Sequence, residues 1–335
     1  MKAYCMPWHK SFSNSVNDYL IDPLVKYEKI ELHGWNGSDN ISIDNSEPVI
    51  FCQLLPPKNV LEDNARKVIW IPMWDSVYSR EKEWWTQIPD HVRIVAFSKH
   101  IETIARQTGH DVLKLKFYKD PKTFAPANWS KPLCLFYWNR TNLVSASFLK
   151  IFCKALSIKQ LIIINRPDPG YLPFTDNEIS HLSRYLSVKS YTSFLDLSVL
   201  QNLLSSSHLY IAPRKYEGIG MSFIESMCSG HCVFSIDEVT MNEYICHNKT
   251  GIFLKKDIYK PTINQKLINK FKRILNLPIY DLPENAASLT YFQDWDAMNE
   301  INFSVVGQNA VQSMHDGFIQ WQSQTKEFYN FLVTW

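Results

Sequence analysis

The chain has 335 residues, of which 45% are hydrophobic and 20% are charged, so a disordered chain is excluded. Its 35 lysines and arginines against 33 aspartates and glutamates give a formal net charge of +2, with no electrostatic footprint for nucleic acid. Seven cysteines without a CxxC pair disfavour a zinc site and favour reduced thiols in a cytosolic protein.

The first part of the chain alternates short apolar runs with amphipathic stretches, which is typical of parallel α/β layers. This pattern predicts strands at 2–6, 29–32, 49–55, 67–73 and 92–98, and a helix at 100–109. Residues 117–132 are rich in proline and polar residues and are interpreted as a linker. We therefore expect a first domain over residues 1–125.

A second αβ series follows the linker. The same patterns predict strands at 133–138, 160–165, 188–194, 208–213 and 231–236, with helices at 143–157, 176–187 and 197–207 between them. We expect this second domain to span residues 133–305. Residues 306–335 read as a long amphipathic helix that packs back across onto the first domain.

Nothing in the sequence reads as a signal peptide or a membrane span. The N-terminus "MKAYCMPWHKSF" has no long apolar segment, and the runs "LCLFYW" and "LIIII" are too short to cross a bilayer. We expect a cytoplasmic protein whose membrane contact, if any, is peripheral and at the inner face of the membrane.

The most informative stretch is "RKYEGIGMSFIESMCSG", residues 214–230, which follows a predicted strand as a loop and then a helix. Open α/β sheets bind ligands at the carboxyl ends of their strands. Gly218 and Gly220 allow the backbone to approach a ligand closely, and free N–H groups at the helix start favour a phosphate. Glu225 lies about one turn inside the helix and can reach the same pocket.

The two glutamates of this stretch suit a ligand with hydroxyl groups. An ionised carboxylate only accepts hydrogen bonds, so Glu225 fits a ribose diol and Glu217 fits the hydroxyls of a sugar. A nucleotide sugar satisfies these demands together with the phosphate site. The alternative makes Glu225 a helix-dipole residue and Glu217 a surface residue.

Residues 188–254 resemble the donor-binding half of retaining glycosyltransferases with the GT-B fold, especially glycosyltransferase family 4. The features that carry the resemblance are, in chain order, Pro213, Glu217, Gly218, Gly220, Glu225, Gly230, the strand "CVFSI", Glu243 and the turn in "NKTGIFL". The resemblance implies an α/β GT-B architecture of two Rossmann-like domains facing a cleft, the first binding the acceptor and the second the donor.

The resemblance also implies roles for single residues. Glu217 would contact the donor sugar, the backbone at Gly220 and Met221 would hold the distal phosphate, and Glu225 would bind the ribose. Arg140 matches an arginine that clamps the diphosphate in the family and offsets charge on the leaving group.

The family usually has a lysine five residues after that arginine, and here the position is Ser145. This departure means that another basic residue substitutes or that the clamp is weaker. The candidates for a substitute are Arg166, Arg214 and Lys215.

On the acceptor side, "MPWHKSFSNSV" stands where the first domain of the family commonly has a glycine-rich loop. His9, Trp74, Asp75 and His100 follow predicted strand ends that face the expected cleft. Each could contact the acceptor, although each could equally be structural.

These observations predict a retaining glycosyltransferase that moves a hexose-type sugar from a nucleotide sugar to a glycan, a glycolipid or another hydroxyl acceptor, as in polysaccharide biosynthesis. No cofactor and no essential metal are expected. The alternatives are a GT-B nucleotide-sugar epimerase, an inverting transferase, or a degenerate sugar-nucleotide-binding subunit, which the serine at position 145 would suit. A dinucleotide oxidoreductase is disfavoured because no strand is followed by GxGxxG.

Overall fold

A computed structural model describes residues 1–12, 15–38, 41, 47–193, 195–212, 214–255 and 294–335. Pro213, one of the residues that carry the family resemblance, lies outside the described residues, as does the stretch 256–293 of the predicted second domain.

The first sheet has six parallel strands in the order β2-β1-β3-β4-β5-β6. Its strands are β1 (Lys2–Cys5), β2 (Glu31–Gly34), β3 (Val49–Cys52), β4 (Val68–Ile71), β5 (Val92–Ala96) and β6 (Val112–Lys114). The helices around it are α1 (Pro7–Phe12), a π-helical turn (Asn17–Ile21), α2 (Asp22–Leu24), α3 (Lys58–Leu61), α4 (Trp74–Val77), α5 (Lys82–Trp85) and α6 (Lys99–Gln107).

The second sheet also has six parallel strands, in the order β12-β11-β10-β7-β8-β9. Its strands are β7 (Cys134–Trp138), β8 (Gln160–Ile164), β9 (Ser187–Tyr191), β10 (Leu209–Ile211), β11 (Cys232–Ile236) and β12 (Ile252–Leu254). The helices of this half are α7 (Ala146–Ala155), α8 (Asp176–Ser183), α9 (Leu197–Ser205), α10 (Met221–Cys228), α11 (Met241–Tyr244), α12 (Trp295–Asn299) and α13 (Phe303–Val333).

The predicted α/β class with two Rossmann-like sheets is confirmed. Central strands such as β3 and β4 are buried along their whole length, as expected where helices cover both faces of a parallel sheet. Two strands of three residues each, β6 and β12, were not predicted. Over the described ranges, no helix has the length and apolar character that a membrane span requires.

The long helix α13 touches both halves of the molecule. It lies against α10 and β11 of the second domain and against α2 of the first. Its glycines make the approach possible, because a Cβ atom at Gly307 would overlap the carbonyl oxygen of Gly230. A Cβ atom at Gly317 would likewise overlap the ring of Tyr118. The helix backbone itself is therefore a packing surface.

This packing predicts whether a substitution at Gly307 raises or lowers the stability of the protein. Gly→Ala in an exposed helix should stabilise by about 1 kcal/mol. At Gly307 the added methyl group must displace backbone atoms, so we expect Gly307→Ala to lower the free energy of unfolding by about 1–3 kcal/mol. Urea denaturation measures the change. Gln308→Ala, on the exposed side of the same helix, is the control and should stay within about 0.5 kcal/mol of the wild type. A stabilised Gly307→Ala protein would contradict the contact.

Candidate functional site

A cleft of about 990 Å³ lies between the two sheets, at the carboxyl ends of their strands. Residues of the first domain that line it include Met6, Trp8, His9, Ser15, Tyr19, Cys52, Gln53, Met73 and Asp75. The second domain contributes Trp138, Arg140, Arg166, Pro167, Asp168, Pro169, Gly170, Tyr171, Arg214, Glu217, Gly218, Ile219, Gly220, Met221, Ser222 and Glu225.

The two glycines of the loop before α10 are required by the protein's own packing. A Cβ atom at Gly218 would stand 2.8 Å from Cβ of Met73 and 3.1 Å from Oδ1 of Asp75, so the loop presses against the first domain. Gly220 has φ +83°, a left-handed conformation that favours glycine, and the ring of Phe223 fills the place of its side chain. Helix α10 begins directly afterwards, and its first amides have no acceptor within the helix.

Glu217 is buried in the wall of the cleft, which excludes the alternative that it is a surface residue. Only 5% of it is exposed, its Oε1 has no hydrogen-bond partner, and its Oε2 lies 3.9 Å from a guanidinium nitrogen of Arg214. Burial raises the pKa of Glu217, and the positive charges of Arg214 and Arg140 offset only part of this rise. The hydroxyl of Thr240 holds the loop by donating to the carbonyl of Glu217 at 2.7 Å.

Glu225 lines the same cleft but is already paired. Its Oε1 lies 2.6 Å from Nζ of Lys119, which also contacts Asp18 at 2.8 Å. Burial lowers the pKa of Lys119, but the two carboxylates raise it more, so it stays above its ordinary value. The ammonium group thus links Glu225, beside the second sheet, to Asp18, beside the first.

A series of connected ion pairs extends across the cleft from one wall to the other. Arg140 donates from Nε and Nη2 to Oδ1 of Asp168 at 3.0 and 2.9 Å. Arg214 donates from Nε and Nη2 to Oδ2 of the same carboxylate at 3.0 and 2.5 Å, and from Nη1 to Asp75 at 3.2 Å. Burial lowers the pKa of Arg214, but the negative charges of Glu217, Asp168 and Asp75 have a larger effect, so the pKa lies above its ordinary value.

The serine that replaces the family lysine has a local role. Ser145 is the N-cap of α7, and its hydroxyl accepts a hydrogen bond from the amide of Phe148 at 3.1 Å. Among the proposed substitutes, Arg166 and Arg214 line the cleft. Lys215 does not, because its ammonium lies 4.6 Å from the ring centre of Tyr216.

The acceptor-side candidates divide into two pairs. His9 and Asp75 line the cleft, whereas Trp74 and His100 do not and instead contact each other, with ring centres 4.4 Å apart and ring planes tilted by 55°. His9 contacts Gln53 through Nε2 at 3.1 Å. Burial lowers the pKa of His9, the hydrogen bond to Gln53 raises it, and the nearby arginines lower it again, so the net shift is downward.

Sequence reasoning missed several residues in and around the site, among them Gln53, Thr240 and Asp168. Gln53 has φ +68° and Thr240 has φ +78°, conformations that are rare for residues with side chains. No local signal marks either one, since the strain depends on their neighbours in the fold. Asp168 lies in "NRPDPG", a turn that is visible in the sequence, but its two arginine partners come from other strand ends. Among the described residues, no group of three or more His, Cys, Asp or Glu side chains is placed to hold a metal ion.

Residues 188–288 match the model of the family Glycosyl transferases group 1. This part of the chain is a glycosyltransferase domain. The matched segment contains Glu217, Glu225 and all of α10, so it covers part of one wall of the cleft, while Arg140 and Asp168 lie outside it. In the comparison with curated protein sequences, no relative matched this chain.

Solved structures share the fold at low sequence identity. HepE of Anabaena in complex with UDP has a TM-score of 0.57 at 11% identity, over 98% of this chain and 99% of that one. A glycosyltransferase from Rickettsia africae gives 0.54 at 13%, over 99% and 97%. The pneumococcal O-GlcNAc transferase GtfA in complex with UDP and GlcNAc gives 0.50 at 12%, over 86% of this chain but only 58% of that one. The predicted GT-B fold is confirmed.

The burial of Glu217 predicts a gain in stability when its charge is removed. Because its folded-state pKa is raised above the unfolded value, the unfolded state releases the proton first, and stability falls as pH rises through this window. We expect Glu217→Gln to be at least as stable as the wild type at pH 7.5, and the difference to shrink at pH 4. Thermal unfolding at both pH values measures it. Glu225→Gln breaks the pair with Lys119 and should not be stabilised, whereas a destabilised Glu217→Gln protein would show that the charge of Glu217 is well compensated.

Proposed function

We propose that the chain is a retaining glycosyltransferase of the family 4 type, which transfers a hexose-type sugar from a nucleotide sugar to a hydroxyl group of a glycan or glycolipid. Residues 1–125 would bind the acceptor, residues 133–305 the donor, and residues 306–335 would tie the two domains together. The observation that carries the proposal is the free, buried Oε1 of Glu217 in the cleft between the two sheets. The presence of UDP in the complexes of HepE and GtfA supports a nucleotide-sugar donor.

The cleft offers a partner for each part of such a donor. Glu217 accepts hydrogen bonds from the sugar, and the first amides of α10, at Met221 and Ser222, face the diphosphate. Glu225 binds the ribose diol through the oxygen that Lys119 leaves free. Arg140 provides positive charge where negative charge develops on the leaving diphosphate. The acceptor hydroxyl attacks from the leaving-group side, with a phosphate oxygen of the donor as base.

One observation favours a second candidate, a sugar-nucleotide-binding subunit without transferase activity. Ser145 is occupied as a helix cap and carries no charge, so the clamp lacks one cation of the family pattern. Such a subunit would bind the donor but neither transfer nor hydrolyse it. The two functions are separated by turnover, since both predict nucleotide binding.

Glu225 is tested by nucleotide binding alone. A lost hydrogen bond to a charged group is worth roughly 1.5–3 kcal/mol, so we expect Glu225→Ala to weaken nucleoside diphosphate binding about tenfold or more. Isothermal titration with UDP, GDP, ADP and CDP measures the affinity. Glu300→Ala, an exposed glutamate on the same domain and outside the cleft, is the control. Unchanged affinity in a folded Glu225→Ala protein would remove the ribose assignment.

Glu217 and Arg140 are tested by turnover. We expect Glu217→Gln to retain nucleoside diphosphate affinity but to lose transfer, because its partner is the sugar. Arg140→Ala should lower kcat more than it raises the donor KM, since its interaction strengthens as the diphosphate leaves. Losses of about 10²–10³ in kcat are expected for one preorganised electrostatic group. Steady-state kinetics measures both, with donor hydrolysis as the reaction when no acceptor is supplied.

Arg184→Ala, an exposed arginine at the end of α8, is the matched control and should leave kcat unchanged. If neither Glu217→Gln nor Arg140→Ala changes turnover, the cleft is not the transfer site. If the wild type binds nucleotide but shows neither transfer nor hydrolysis, the binding-subunit function is the correct one.

A further inference from the structure

Asp168 is held between two arginines in a way that resembles a bound anion. Each of its carboxylate oxygens faces one guanidinium, Oδ1 toward Arg140 and Oδ2 toward Arg214, and each guanidinium directs two nitrogens at its oxygen within 3.0 Å. Paired charge-assisted contacts of this kind are the ones that guanidinium groups make to phosphate. The carboxylate therefore occupies a place in the cleft where two guanidinium groups converge on an anion.

Charge in the cleft argues against adding a diphosphate to this arrangement as it stands. Arg140 and Arg214 are outnumbered by three carboxylates, those of Asp168, Asp75 and Glu217, all on the cleft wall. Arg214 already directs donors at Asp168 and Asp75 and lies next to Glu217. Arg166 also lines the cleft, so three arginines stand against these three carboxylates, and a nucleoside diphosphate would meet no net positive charge unless one carboxylate withdrew from the arginines.

Asp168 is the carboxylate best placed to withdraw. Glu217 is 5% exposed, and Asp75 lies against the loop at Gly218. The side chains of Asp168 and Asp75 are equally exposed, at 22%, but Asp168 directly precedes the exposed residues Pro169 and Gly170.

We propose that Arg140 and Arg214 together form the diphosphate-binding pair, and that Asp168 is an internal competitor that the donor displaces from it. Arg214 then supplies the cation that position 145 lacks. The proposal rests on the function proposed above, and it adds that donor affinity is held below what the two arginines alone would give.

The decisive experiment is the affinity of Asp168→Asn for UDP and for inorganic pyrophosphate, measured by isothermal titration. The substitution keeps the side-chain shape and removes only the negative charge. An internal competitor predicts about tenfold tighter binding of both anions, with the affinity for uridine unchanged because uridine has no phosphate. Asp237→Asn makes the same charge change on an exposed residue outside the cleft and should bind UDP like the wild type.

Equal or weaker binding of UDP and pyrophosphate by Asp168→Asn would overturn the proposal. That result is expected if Asp168 only positions the two arginines and does not compete with the ligand. A second variant tests the role of Arg214. Arg214→Gln should bind UDP and pyrophosphate about tenfold more weakly while its affinity for uridine is kept. If Arg214→Gln binds UDP and pyrophosphate as tightly as the wild type, the proposal is also overturned.

The same titrations separate this proposal from the proposed function. If Glu225→Ala loses UDP affinity but Asp168→Asn gains none, the proposed donor site is supported and the proposal that Asp168 competes with the donor is wrong. If the wild type binds none of UDP, GDP, ADP and CDP, the donor site fails, and the competitor fails with it.

Discussion

The guanidinium of Arg214 is the contact on which the cleft depends. It joins Asp75 of the first domain to Asp168 of the second, and through Asp168 it fixes Arg140. A guanidinium can do this because it is always charged and presents several donors in one rigid plane. Partial burial strengthens each pair by lowering the local dielectric constant. Arg214 thus contributes to the connection between the two walls of the cleft and to the placement of its positive charge.

Other charge pairs repeat this design away from the cleft floor. Glu243 on α11 accepts from the amide of Lys99 and from the ammonium of Lys114, both in the first domain. Lys119 joins Glu225 to Asp18 in the same manner. Polar contacts between domains bury less apolar surface than a core does, and they can be exchanged for contacts with a charged ligand. The apolar part of the connection includes α13 and aromatic contacts such as the stacking of Tyr78 on Tyr216.

The cleft also contains features that the rest of the fold must support. Glu217 is buried without a partner for one oxygen, and two residues with side chains, Gln53 and Thr240, have positive φ angles. Each is unfavourable by itself. Gln53 and Glu217 line the cleft, and Thr240 holds the Glu217 loop from behind it. Unfavourable features of this kind collect where a site is preorganised for a ligand.

The sequence by itself determined the two αβ series and the strand–loop–helix unit at 208–228. It also determined that the two glutamates of this unit can accept hydrogen bonds. Apolar periodicity, glycine positions and carboxylate chemistry are local properties and can be read from the sequence. Only the tertiary structure decided that Asp168 lies between Arg140 and Arg214, that Glu225 pairs with Lys119, and that Trp74, His100 and Lys215 lie outside the cleft. These contacts join residues that follow different strands. In the pair of Lys119 and Glu225, the two residues also come from different domains. Charge pairing acts through space between elements that are distant in the chain, so no local pattern encodes it.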